Sequence, residues 1–223
     1  MAIISFKHRF IFIKTRKTAG TSIEVELEKI AGADAVVTPI IPAEPGHSAR
    51  NHLGKDGQVA FFNHMRAVRI RALIGEQQFG KMFKFCVERE PVSKCISHFH
   101  MLRNSPVHNQ DGQYTKDWQA YCEDGNFPIN VGSYSEVQDG RHRLLVDRVL
   151  PYEDIAESLP RLLNALGVEG FRLTARAKSA YAKNRLITKA AVTACQRRTI
   201  YAAFAKTYEL TGLYPDPEGN QRR

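Results

Sequence analysis

The chain opens with a short β-rich run, a turn of small and basic residues, and a helix-like segment, in that order. Residues 10–14 (FIFIK) predict a buried strand. In residues 23–31 apolar side chains recur at helical spacing, and Gly32 is a typical helix stop. Residues 15–22 form the loop between them. This succession of strand, loop and helix begins an α/β unit and constrains the fold more than any other feature.

The rest of the chain continues the alternation of strands and helices. Further strands are predicted over 82–87 and 144–150, and helices over 66–74, 91–103, 155–166 and 187–210. Pro160 lies inside one helical pattern, so we expect that helix to start near Ser158 or to kink. Residues 38–58 and 104–141 predict loops. The expected fold class is α/β, a single domain over 1–223. It has three layers, with a mainly parallel central sheet flanked by helices and a ligand at the carboxyl ends of the strands.

The first loop has the composition of an anion-binding site. A helix N-terminus exposes unpaired N–H groups and a partial positive charge, and small residues let a phosphate approach the backbone. The candidate ligands are Arg16, Lys17, Thr18, Ala19, Gly20, Thr21 and Ser22. The net charge of +9 favours an anionic partner, which includes nucleic acid, an acidic membrane face and a phosphate-rich small ligand. A capped helix start beside solvated basic residues explains the same loop.

Residues 17–22 (KTAGTS) resemble, without a gap, the PKTAGTS loop of sulfotransferases that use 3′-phosphoadenosine-5′-phosphosulfate (PAPS). The similarity is closest to the carbohydrate sulfotransferase branch, and Arg16 replaces the usual proline. The resemblance implies a P-loop-like sulfotransferase fold. It also implies that this loop binds the 5′-phosphosulfate and that Lys17 is the catalytic residue that stabilises charge on the leaving phosphate.

A second segment carries an independent resemblance. Residues 83–97 (FKFCVEREPVSKCIS) are similar to the family's FxFVRNPxxRxxS segment. The resemblance implies that Arg89 and Ser97 hold the 3′-phosphate of the co-substrate, and an arginine fork suits a phosphate. Glu90 stands where the family usually has asparagine, and Lys94 where it often has arginine. A surface arginine after a buried strand is the other interpretation of Arg89.

The acceptor must lose a proton, and the sequence offers several candidate bases. His64 is the first, because the segment around it resembles one that carries a catalytic histidine in polysaccharide 2-O-sulfotransferases. His47, His52 and Glu24 are the alternatives. The expected reaction moves a sulfuryl group from PAPS to a hydroxyl or amine of a carbohydrate or other small metabolite and leaves adenosine 3′,5′-bisphosphate. No metal is expected.

Two other functions fit parts of the sequence, and so does a sulfotransferase fold that has lost catalysis. A P-loop kinase shares the strand, loop and helix, and Asp147 is placed to bind its magnesium. However, its motif GxxxxGK[ST] has the lysine after the glycine, which is the reverse of the order here. A non-catalytic nucleic-acid-binding protein would use the arginines at 66, 69 and 71, but no aromatic residues alternate with them, so no nucleic-acid partner is expected.

The remaining features concern location. No run approaches 18 apolar residues, so no membrane span is predicted. The apolar N-terminus is interrupted by Lys7, His8 and Arg9 and resembles a buried strand more than a signal peptide. Four widely spaced cysteines favour a reducing compartment, and we expect a cytoplasmic protein. The sequence predicts no oligomeric state.

Overall fold

The computed structural model describes residues 2–175, 177 and 184–217. These residues form two compact units. Unit 1 comprises the described residues up to 88 together with those of 130–177, and unit 2 comprises 89–129 and those from 184 onward. The expectation of one domain over 1–223 stays a prediction.

The elements are as follows in chain order. The strands are β1 (Ala2–Ser5), β2 (Phe10–Ile13), β3 (Val36–Val37), β4 (Phe83–Glu88), β5 (Ser135–Gln138), β6 (Arg141–Leu144) and β7 (Arg148–Pro151). The helices are α1 (Gly20–Ile30), α2 (Ala67–Ile74), α3 (Glu76–Gly80), α4 (Pro91–Asn104), α5 (Trp118–Asp124), α6 (Val131–Tyr134), α7 (Ile155–Ala165), α8 (Ala194–Ala203) and α9 (Ala205–Thr211).

Unit 1 contains a five-stranded sheet in the order β3-β1-β2-β4-β7. The pairs β2–β4 and β4–β7 are parallel, whereas β1 pairs antiparallel with both β2 and β3. The class α/β is confirmed, but the sheet is mixed rather than mainly parallel. The reason is local. The apolar N-terminus forms a strand of its own, and the four residues that separate it from β2 allow only an antiparallel return.

The core of unit 1 lies against this sheet. All of β2 is buried, and the rings of Phe12 on β2 and Phe85 on β4 have centroids 5.4 Å apart. Helix α1 contributes Ile23 and Leu27 to the same cluster, which fixes its N-terminus directly after the loop that follows β2. Helix α7 also joins this cluster.

Two predicted boundaries in unit 1 can be compared with the structure. Helix α7 (Ile155–Ala165) agrees with the helix predicted over 155–166 and includes Pro160, so of the two expectations for this proline the start near Ser158 is wrong. The predicted strand over 144–150 is divided, because residues up to Leu144 pair with β5 as a hairpin and only β7 joins the main sheet. Between these strands Asp147 binds the main chain of Lys84 through its carboxylate and its N–H.

Unit 2 is helical. Its core brings Phe99 of α4 into contact with Trp118 and Tyr121 of α5, with ring centroids 5.5 Å from each. Helices α8 and α9 replace the single helix expected over 187–210. A capping box of Thr193 and Gln196 starts α8, and the chain leaves helical geometry at the buried Phe204 before α9 begins. None of the helices in the described ranges is long and apolar enough to span a membrane.

Candidate anion-binding site

The loop between β2 and α1 turns the backbone through unusual conformations. Lys17 has φ of 63° and Ala19 has φ of 58°, the left-handed region that residues other than glycine seldom adopt. Such backbone geometry persists where the surrounding structure enforces it, and it is frequent at functional sites. Here the two left-handed residues lie in the short loop that joins the buried strand β2 to the first turn of α1.

The N-terminus of α1 has no side-chain cap in the part of the chain that the structure describes. Ala19 is the N-cap residue, and no side chain among the described residues bonds to the first-turn N–H groups. The first helical bond runs from Ile23 N–H to Ala19 O, at 3.1 Å, so the N–H groups of Gly20, Thr21 and Ser22 precede it. These groups and the helix dipole favour an anion at this end of α1.

The three predicted loop hydroxyls have different roles. Thr15 donates to the carbonyl of Val87 on β4, and Thr18 Oγ1 lies 2.8 Å from Thr15 Oγ1 and 3.2 Å from Thr15 O. The single proton of Thr18 therefore holds the loop together. Thr21 and Ser22 instead accept hydrogen bonds, from Lys14 Nζ at 3.0 Å and from Ala177 N–H at 3.0 Å. Among the described residues neither hydroxyl donates a hydrogen bond, so each has a proton that it can offer to an acceptor.

Asn130, which is distant in sequence, binds the main chain of the loop. Its side chain accepts from Arg16 N–H at 3.0 Å and donates to Arg16 O at 3.2 Å, so it replaces a missing backbone partner. The Arg16 side chain is exposed and that of Lys17 is half-buried, so both cations border the loop without being buried in the core.

A buried ion pair underlies the helix start. Lys14 Nζ lies 2.9 Å from Glu24 Oε2, and the two side chains are 6% and 0% exposed. The stem of Lys14 crosses Gly20 so closely that a Cβ there would lie 2.5 Å from Lys14 Cγ, and only glycine fits. The sequence analysis missed this role of Lys14. The available signal was a lysine at the end of an apolar strand and a glutamate on the helix that follows.

His64 lies against the same loop. Its Nδ1 is 3.3 Å from the carbonyl oxygen of Lys14. A carbonyl only accepts, so Nδ1 carries the proton and Nε2 carries the lone pair that a general base requires. Burial, together with the positive charges of Lys14 and Arg16, lowers the pKa of His64 to about 3. The imidazole is therefore neutral at physiological pH.

The alternative bases are placed differently. Glu24 is fully buried and bound to Lys14, so its carboxylate does not face solvent. His47 is half-buried, and this burial lowers its pKa. His52 is half-buried in the same long loop. Of the four candidates, His64 contacts the loop backbone through its ring and has a defined tautomer.

The second predicted phosphate segment lies at the N-terminus of α4 in unit 2. Glu90 is the N-cap residue, and its carboxylate accepts from Val92 N–H at 3.1 Å and from Ser93 N–H at 2.9 Å. Tyr201 and Lys189 also bind this carboxylate. Its pKa is about 2, because these hydrogen bonds outweigh the opposing effect of burial.

The side chains predicted to bind the 3′-phosphate lie on either side of this cap. Arg89 precedes Glu90, Ser97 lies further along α4, and both are half-buried. Unit 1 thus brings together the loop residues and His64, while Arg89 and Ser97 belong to unit 2.

Two shallow clefts lie elsewhere. One of about 280 Å³ is lined by residues near the end of α7, and one of about 260 Å³ is lined by residues 107–110, 113 and 114. The loop residues line neither cleft, so charge and main-chain geometry define the candidate site better than cavity depth does. No protein-family model, curated protein or solved structure matches this chain significantly.

Proposed function

We propose that this protein is a PAPS-dependent sulfotransferase with a P-loop-like sulfotransferase fold. The observation that carries the proposal is the N-terminus of α1, which no side chain among the described residues caps, together with a neutral His64 against the loop that leads into it. Lys17 precedes this terminus in the loop. The combination joins a binding surface for a phosphosulfate to a base for the acceptor. A surface that only bound an anion would have no use for the base.

The proposed reaction assigns a role to each group. The N–H groups of Gly20, Thr21 and Ser22 and the hydroxyls of the last two hold the 5′-phosphosulfate. Nε2 of His64 takes the proton of the acceptor hydroxyl or amine as its oxygen or nitrogen forms a bond to sulfur. The bond between sulfur and the 5′-phosphate oxygen breaks, and Lys17 stabilises the charge that develops there. The products are the sulfated acceptor and adenosine 3′,5′-bisphosphate.

The remaining parts of the proposal concern the second phosphate and the acceptor. Arg89 and Ser97 are assigned to the 3′-phosphate, with a bidentate arginine contact as the main interaction. The acceptor is a carbohydrate or another small metabolite, and the location is cytoplasmic.

The kinase alternative is weaker than the sequence suggested. Asp147, the residue assigned to magnesium in that alternative, accepts from Lys84 N–H at 2.7 Å and from Lys84 Nζ at 3.0 Å. It therefore fixes the start of β4. The nucleic-acid alternative also loses a cation, because Arg71 pairs with Glu136 and Glu76.

Thermal unfolding with added nucleotides tests the proposal. Adenosine 3′,5′-bisphosphate at one hundred times its dissociation constant stabilises the wild type by roughly 2.7 kcal/mol, a readily measured shift of the midpoint. We expect ATP with magnesium to give no shift, and Arg89→Ala and Lys17→Ala to reduce the response to the bisphosphate. Stabilisation by ATP with magnesium in place of the bisphosphate would establish the kinase alternative, and no response to either ligand would refute the PAPS site.

A further inference from the structure

The Lys14–Glu24 pair is buried directly below the helix terminus that the proposed function uses. Lys14 is 5% exposed as a residue, and its ammonium donates both to Glu24 Oε2 and to Thr21 Oγ1 on α1. Burying two charges costs desolvation free energy, so a buried ion pair adds little to stability. The contact of the Lys14 ammonium with Thr21 is therefore a candidate for a functional role.

The Lys14–Thr21 contact sets the direction of one hydroxyl. An ammonium only donates, so Thr21 Oγ1 accepts at 3.0 Å and its own proton points to another acceptor. Among the described residues Thr21 has no other side-chain hydrogen bond. Thr21 follows the first residue of α1, where an anion would sit, and it is half-buried.

We propose that Lys14 is a positioning residue of the sulfuryl-transfer site, which orients the Thr21 hydroxyl as a donor to the 5′-phosphate of the bound nucleotide. This inference rests on the proposed function. Glu24 holds the ammonium in place, with Lys14 Nζ 2.9 Å from Glu24 Oε2. It also neutralises the charge of Lys14, so that Lys14 acts by orientation and Lys17 remains the cation of the loop.

Removing the lysine has a defined consequence in this arrangement. Without the ammonium, the Thr21 hydroxyl is no longer held as an acceptor, so its proton is free to turn away from the 5′-phosphate and the ligand loses a donor. A hydrogen bond to a charged group corresponds to roughly tenfold to a hundredfold in affinity. A ligand without a 5′-phosphate should not sense this change.

A double-mutant cycle tests the inference, with two probes and calorimetric titration. The variants are Thr21→Val, Lys14→Met with Glu24→Gln, and all three changes together. The wild type is the reference, and Lys14 and Glu24 are changed together because either change alone would leave a buried charge without its partner and would endanger folding. The probes are adenosine 3′,5′-bisphosphate and adenosine 3′-monophosphate, and Thr18→Val is a control for a hydroxyl whose proton is consumed inside the loop.

The expected pattern is specific. Thr21→Val and Lys14→Met with Glu24→Gln each weaken the bisphosphate about tenfold or more, and the combined variant is no weaker than Thr21→Val alone. The monophosphate affinity changes less than about twofold in all of them, which a merely structural loosening would not produce.

Two results overturn the inference in distinguishable ways. If the wild type binds the bisphosphate and the two effects multiply, Lys14 does not act through Thr21 and the sulfotransferase proposal stands. If the folded wild type does not bind the bisphosphate, the proposed function fails and this inference fails with it.

Discussion

Helices α1 and α4 follow β2 and β4 in the chain, which are neighbouring parallel strands of one sheet. The two helices differ in whether a side chain accepts hydrogen bonds from the N–H groups of the first turn. At α4, Glu90 folds back as the cap and fills the terminus with its own carboxylate. At α1, no side chain among the described residues caps the terminus. Glu24, a glutamate in the first half of this helix, forms a buried ion pair with Lys14 instead. A side chain of the protein caps one terminus, and the proposed function assigns the other to a ligand.

Each of these two helix starts lies in a segment that resembles a phosphate-binding segment of the same family. The difference in capping shows that the two would have to bind an anion through different groups. An anion at α1 can use main-chain N–H groups and the helix dipole. An anion near α4 must rely on the Arg89 and Ser97 side chains, because the carboxylate of Glu90 already occupies the dipole's positive end. The following predictions rank the tests of this contrast by expected effect.

Replacing a lysine at each terminus gives the largest contrast. Lys17→Ala should lower the turnover of PAPS about a hundredfold to a thousandfold, because one preorganised contact to the developing charge is lost. The matched change at the other terminus is Lys189→Ala, whose ammonium binds Glu90 and is half-exposed. It should leave turnover unchanged and cost about 0.5 kcal/mol of stability. Equal losses of turnover in both variants would contradict the contrast.

Protonation of Glu90 should destabilise the fold. The pKa of this carboxylate is about 2 in the folded protein and 4.5 ordinarily. The stability that it provides, about 3 kcal/mol, is therefore complete above the ordinary value and is lost as pH falls from about 5 to 2. Urea unfolding across this range should show the loss in the wild type and a smaller one in Glu90→Gln. Identical pH profiles would show that the cap carries no such energy.

Substitution of His64 should affect turnover and ligand affinity at the α1 terminus differently. We expect His64→Ala to lower PAPS turnover about a hundredfold, the ordinary contribution of a general base. The affinity for adenosine 3′,5′-bisphosphate should stay within about twofold, since the loop N–H groups are unchanged. Calorimetric titration beside the turnover assay provides the check, and a parallel fall in affinity would assign His64 to binding instead.

The smallest expected change in ligand binding comes from placing a carboxylate at the N-cap of α1, as Glu90 does at α4. Ala19→Asp places a carboxylate at an N-cap in the left-handed conformation, which aspartate and asparagine tolerate. The like charge should weaken bisphosphate binding at least about tenfold, whereas Ala19→Asn, the neutral control, should weaken it less. An affinity unaffected by the aspartate would mean that the anion binds away from this terminus.

The sequence predicts the local parts of this site and misses the parts that depend on distant residues. The apolar run of β2 and the helical spacing after it predict β2, the loop and α1, and the proline at 91 predicts the start of α4. Asn130, which clamps Arg16 across 114 positions, lies in a stretch predicted to be a loop and carries no local signal.

The errors in the fold have the same origin. The terminal helix is divided at Phe204 because that side chain is buried among residues of α4 and α5, which a helical pattern alone does not reveal. The antiparallel β1 became part of the sheet because a short apolar N-terminus found a partner in β2. Local periodicity predicts elements, and tertiary packing decides their limits.

Transfer of a radiolabelled sulfuryl group is the most direct test of the central claim. PAPS labelled in that group is incubated with the wild type, Lys17→Ala and His64→Ala, and with a panel of saccharide, hydroxyl and amine acceptors. We expect label on at least one acceptor with the wild type, and a drop of about a hundredfold or more with each variant. A wild type that binds adenosine 3′,5′-bisphosphate but labels no acceptor, or a Lys17→Ala variant as active as the wild type, would contradict the proposed sulfuryl transfer.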